Sequence, residues 1–153
     1  MKHTVGSEGG NIAPIDFGIS LSVPRGAVPL EDIQEISIQP CLSGPFEYPE
    51  GYEPLSAVYL ITTTVAFQKA VELRLNHYAR LETEEQASQM TFLSASTRDI
   101  VSGKKFEFKP IGGKFRVNER HGTLQLKHFC VITAGSKKSA GTGKDWLSYG
   151  CFG

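Results

Sequence analysis

Apolar residues recur at every second position through most of this chain. Ile19, Leu21 and Val23 alternate with Gly18, Ser20 and Ser22, and Ile36 and Ile38 alternate with Glu35, Ser37 and Gln39. Val71, Leu73 and Leu75 alternate with Glu72, Arg74 and Asn76, and shorter repeats appear at Met90 and Phe92, Phe106 and Phe108, and Phe115 and Val117. Leu124, Leu126, His128, Cys130 and Ile132 extend the pattern into a last predicted strand. A period of two places one set of side chains on one face of a strand and the other set on the opposite face. Tyr59 to Thr64, rich in β-branched residues, reads as a further strand.

Breakers interrupt these runs at short intervals: Pro24 to Pro29, Pro40 to Pro54, Ser102-Gly103 and Gly112-Gly113. Only Leu81 to Gln89 has helical composition. Many short strands with such turn spacing predict an all-β fold, an antiparallel β-sandwich or partly open barrel with one short helical segment at most. Residues 1–8 read as a flexible lead, 9–135 as the β domain, and 136–153 as a flexible linker and tail carrying Trp146, Tyr149 and Phe152.

The 153 residues suit a single domain. Lys plus Arg and Asp plus Glu number 16 each, a balance that argues against a dedicated nucleic-acid or acidic-membrane binder. Cys41, Cys130 and Cys151 are odd in number and widely spaced, so neither a disulfide framework nor a zinc knuckle is suggested. The simplest compartment for such a chain is the cytosol, or the cytoplasmic part of a membrane receptor. No apolar run approaches the roughly 20 residues of a membrane-spanning helix.

One stretch is more specific. Gly9-Gly10, followed by Gly18-Ile19-Ser20-Leu21-Ser22-Val23-Pro24-Arg25-Gly26-Ala27-Val28-Pro29, resembles the opening of the ZU5 domain. That module is shared by zonula occludens scaffolds, uncoordinated-five netrin receptors, ankyrins and death-domain scaffolds. Glu35-Ile36-Ser37-Ile38 and Pro54-Leu55-Ser56-Ala57-Val58 fit later landmarks, with Ala57 where the family usually has Pro. Phe67-Gln68-Lys69-Ala70-Val71-Glu72-Leu73-Arg74-Leu75-Asn76-His77 fits another, with Ala70 and Asn76 in place of two prolines. The landmark positions Gly10, Gly18, Leu21, Pro24, Gly26, Ala27, Pro29, Phe67, Leu73, Leu75 and His77 read as structural. Pro24 and Pro29 end a strand, Gly26 takes a backbone conformation other residues resist, and Ala27 and Val28 plug the sheet edge.

The resemblance implies a protein-interaction module of a signalling or membrane-cytoskeleton scaffold. By family analogy its partners are spectrin-like proteins, kinases, or neighbouring modules such as death domains, and any membrane association runs through a parent protein. No cofactor and no metal is implied, and no metal-ligand spacing occurs.

One triplet carries candidate chemistry. Some ZU5 relatives cut their own backbone at His-Phe-Ser, and this chain reads His128-Phe129-Cys130. The scissile bond would follow Phe129, with Cys130 as nucleophile and His128 or His121 as base. The structural alternative is a regular strand on which Cys130 is a buried apolar residue and His128 a satisfied core histidine. Gly141-Thr142-Gly143-Lys144 lacks the spacing and the hydroxyl of a phosphate loop. Glu82, Glu84 and Glu85 read as an exposed face. Besides binding and self-processing, a plain structural spacer is the third reading.

Overall fold

The computed structural model describes residues 2–14, 17–41, 46–64, 66–96 and 106–137. Breaks at proline and glycine divide the alternating sequence into strands β1 (Lys2–Val5), β2 (Gly10–Ile12), β3 (Ile19–Val23), β4 (Gln34–Cys41), β5 (Phe46–Glu47), β6 (Tyr52–Pro54) and β7 (Val58–Thr63). They continue as β8 (Val71–Asn76), β9 (Met90–Ala95), β10 (Phe106–Glu107), β11 (Lys109–Gly112), β12 (Lys114–Phe115), β13 (His121–Leu126) and β14 (Val131–Lys137). One helix, α1 (Glu84–Ser88), lies between β8 and β9.

Two sheets face each other. The first runs β1-β4-β7-β14-β9-β11, with β6 also pairing β14, and the second runs β12-β13-β8-β3-β2. Apart from a two-residue parallel pair between β5 and β10, the pairings are antiparallel. This is the expected β-sandwich. Ile36, Ile38, Ile61 and Phe92 of the first sheet meet Leu21, Leu73 and Leu75 of the second, and all are buried. Removal of this apolar surface from water is the main force holding the two sheets together.

The helix is brief because little besides its cap favours it. Thr83 Oγ1 accepts from Gln86 N (3.2 Å) while Gln86 Oε1 accepts from Thr83 N (3.1 Å), a reciprocal capping box. Ala87 is its buried residue, and it joins Leu55, Ala79, Leu81 and Met90 in a small cluster at one end of the sandwich.

Three sequence expectations are revised. Residues 1–8 include β1, paired in register with β4 from Lys2↔Ser37 to Val5↔Gln34, so Lys2–Val5 belongs to the sheet and is no lead. The run from Leu124 to Ile132 is not one strand: β13 ends at Leu126 in the second sheet and β14 starts at Val131 in the first. Pro40 to Pro54 is not purely a breaker, since β4 runs through Pro40 and β5 and β6 lie within it. The stretch around Ser102-Gly103 and the tail beyond Lys137 lie outside the described residues.

Candidate functional site: the sheet crossover and the turn after Pro29

Residues 127–130 carry the chain from one sheet to the other. The Lys127 carbonyl accepts from Phe67 N (3.1 Å) and the Cys130 carbonyl accepts from Ile61 N (3.0 Å), so both ends of the crossover are tied to the first sheet and its loops. Phe129 is half-buried against the core and stands edge-on to Phe67, which is 3% exposed. His128 is exposed, which corrects the expectation of a core histidine. It lies on the bend itself, where the strand parity that would turn it inward has ended.

Cys130 is half-buried as a free thiol. Burial raises its pKa, and hydrogen bonding to the Ser94 side chain and the Ala95 backbone only partly offsets this. A raised pKa means less thiolate at neutral pH. The second candidate base, His121, opens β13, and the strand holds it about 17 Å from Leu126, away from the crossover. Its ring is already engaged: Arg74 Nη2 donates to Nδ1 (3.1 Å), and Nε2 lies 3.2 Å from Glu119 Oε2. The crossover therefore brings together His128, Phe129 and Cys130 but not His121.

The landmark residues occupy the frame around this point. Leu21, Ala27, Leu73 and Leu75 are buried, and Ala27 and Val28 are sealed inside the fold as the plug the sequence suggested. Gly26, at φ +84°, donates its N–H to Ser7 O (2.8 Å). Lys69 Nζ donates to the Arg25 carbonyl (3.0 Å), and Gln68 N donates to Ala27 O (2.8 Å). The Phe67-Gln68-Lys69 segment thus grips the Pro24–Pro29 turn on one side and the crossover on the other. Gly18 N donates to the Tyr59 hydroxyl (3.2 Å) across the core. In the glycine pair the constraint falls on Gly9: a Cβ there would lie 2.3 Å from Val23 O, whereas Gly10 faces open space.

His77 is 3% exposed. Its Nδ1 accepts from Ala79 N (3.2 Å), its ring lies against Phe115, and its Nε2 has no partner among the described residues. Desolvation, helped by the nearby His121, lowers its pKa to about 4, so the ring is neutral at physiological pH. Ser56, in the Leu-Ser landmark, accepts from Ala134 N (2.8 Å), donates to Ala57 O (2.9 Å) and meets Thr133 Oγ1 at 3.0 Å.

Sequence reasoning passed over the turn just past the plug. Leu30 is 80% exposed and Ile33 73% exposed, the largest values among the exposed large apolar side chains of the described residues. The turn between them is fixed. Asp32 N donates to Pro29 O (3.0 Å), and Glu31 adopts φ +71°, a left-handed conformation that non-glycine residues rarely hold. Val28 is buried on one flank and Gln34 on the other, where the Gln34 side chain accepts from both the N–H and the hydroxyl of Thr64. The signal in the sequence was Leu and Ile flanking Glu31-Asp32 with no strand period to bury them.

Among the described residues, no helix is long and apolar enough to cross a membrane, and no group of three or more His, Cys, Asp or Glu is gathered to hold a metal ion. Comparison with curated proteins gives no significant match. A family model for the ZU5 domain matches residues 1–92, which contain β1 to β8, the plug and the Phe67 segment. With more than half its length matched and the landmarks in the places just described, the chain belongs to the ZU5 domain family.

Proposed function

We propose that this domain is a protein-interaction module of an intracellular scaffold and that the turn Leu30–Ile33 is its docking surface. The observation that carries this reading is the pairing of high exposure with firm anchoring. Two aliphatic side chains stand in solvent on a turn whose flanks are buried and whose Glu31 is held at positive φ. Apolar side chains held in solvent in this way gain free energy when a partner removes them from water. A preformed turn also loses little conformational entropy on binding. By family analogy the partner is another protein or a neighbouring module, with spectrin-like proteins, kinases and death domains as the first classes to test. The test is a photo-crosslinking residue placed at Leu30 in the parent protein, with Glu84 on the exposed helix as control. A partner captured at position 30 and not at position 84 supports the reading; identical capture at both, or none at 30, sinks it.

A second reading is favoured by one observation, that His128-Phe129-Cys130 lies in the irregular crossover and not in a strand. There the Cys130 thiolate would attack the Phe129 carbonyl carbon. The amide C–N bond would break as the Cys130 nitrogen takes a proton, leaving a thioester that water hydrolyses to a Phe129 carboxylate and a free thiol. His128, flanking the bond, is the proton carrier in this scheme. The half-buried thiol, its pKa raised by desolvation, weighs against it. Intact mass of the purified chain beside Cys130→Ala decides: two fragments in the parent alone establish cleavage, and one full-length species in both removes it.

A further inference from the structure

The chain carries a second surface whose chemistry complements that turn. β12 pairs β13 only at Lys114↔Thr123 and Phe115↔Gly122, while β13 continues to Leu126. Past Thr123 the outer edge of β13 therefore lies open among the described residues. The Thr123 carbonyl points toward Gly113, where a Cβ would lie 3.2 Å from it. Strand alternation then aims the backbone N–H and C=O of Gln125 to the same open side. A groove of about 440 Å³ runs along this edge, lined by Gly113, Lys114, Arg116, Leu124, Gln125 and Glu72. It offers two cations against one carboxylate, the half-buried Leu124 where it borders the groove, and a strand edge unpaired among the described residues.

The protruding turn has the opposite character. It presents Leu30 and Ile33 with Glu31 and Asp32 between them, all exposed. We propose that the turn Leu30–Ile33 of one copy seats in the Lys114–Arg116 groove of a second copy. Leu30 or Ile33 covers Leu124, and Glu31 and Asp32 face Lys114 and Arg116. This rests on the reading of the turn as a docking surface, and it adds an occupant and a second site.

The two surfaces are different patches of one molecule, so the contact is heterologous. It leaves a free turn at one end of every pair and a free groove at the other, and it extends into chains instead of closing as a dimer. Two aliphatic side chains and a short edge fall below the roughly 1,200 Å² typical of stable interfaces. The association is therefore weak and concentration-dependent. It gains strength where a scaffold already holds several copies together.

Sedimentation equilibrium of the chain from about 10 µM to about 1 mM tests this. The expected weight-average mass rises with concentration and passes the dimer value, and the rise is smaller at high salt. Leu30→Ser/Ile33→Ser, which lacks the turn, and Lys114→Glu/Arg116→Glu, which lacks the groove, should each stay monomeric. Mixed together, they should form a dimer that grows no further, because each supplies the surface the other lacks. All four positions are exposed, and an unchanged melting temperature confirms folding; Lys114→Gln/Arg116→Gln serves as a milder groove variant. A parent chain that stays monomeric throughout, variants that still associate, or a mixture that fails to dimerise overturns the proposal. If crosslinks from position 30 identify a partner while the chain stays monomeric, only the self-docking falls. If position 30 captures nothing and the turn variant still associates, both readings fall.

Discussion

Phe67 stands edge-on to Phe129, with ring centroids 6.0 Å apart and planes at 89°. This contact joins a landmark of the family's matched segment to the crossover that carries the chain between sheets. Edge-to-face pairs contribute about 0.5–1.5 kcal/mol beyond their area. Phe67→Ala should cost about 3–5 kcal/mol, and Phe129→Ala less, because Phe129 is only half-buried. A double-mutant cycle by urea unfolding should return a coupling near 1 kcal/mol. Additive costs would mean the rings do not sense each other.

Ser56 knots the segment before β7 to β14. Its oxygen accepts from Ala134 N while its hydroxyl donates to Ala57 O. Ser56→Ala leaves that buried N–H without its acceptor, so we expect a loss of about 1–3 kcal/mol. Equilibrium denaturation of the variant checks this; a change below about 0.5 kcal/mol, typical of ordinary surface substitutions, would contradict it.

His77 links stability to pH. Its folded pKa is depressed to about 4 from 6.5, so the unfolded chain takes up the proton first as pH falls. The contribution of the neutral ring is fully present above pH 6.5 and is lost between pH 6.5 and 4. The slope in that window is about 1.4 kcal/mol per pH unit. Urea midpoints at pH 7, 6 and 5 should therefore fall for the parent and fall less for His77→Gln, and an NMR titration should find His77 neutral at pH 5.

The glycine pair divides unequally. Gly9 sits at φ +78° with Val23 O against its Cβ position, while Gly10 borders open space. Gly9→Ala should destabilise by more than 1 kcal/mol and Gly10→Ala by far less. Thermal unfolding of the two variants distinguishes them, and equal losses would contradict the assignment.

Strand periodicity in the sequence exposed the sandwich and most of its core, because alternation is a direct imprint of having one face buried. It failed where the chain kept its parity but changed sheets. Leu126, His128, Cys130 and Ile132 preserve the period across a crossover, and nothing in the spacing marks the bend. The β1 strand was missed for a related reason: Lys2 to Val5 is an edge strand, mostly polar, whose place is set by pairing with β4 and not by its own pattern. The length of β13 itself separates His121 from the crossover. The exposed turn left only a faint mark in the sequence, Leu30 and Ile33 outside any strand period, because exposure is a property of what the fold leaves uncovered.

The central claim is that the Leu30–Ile33 turn does the docking. The most direct measurement is calorimetric binding of the partner crosslinked at position 30, to the parent domain and to Leu30→Ser/Ile33→Ser. The predicted result is a Kd at least about tenfold weaker, 1.4 kcal/mol or more, with an unchanged melting temperature. Equal affinity in the two proteins would contradict it and move the docking surface elsewhere on the domain.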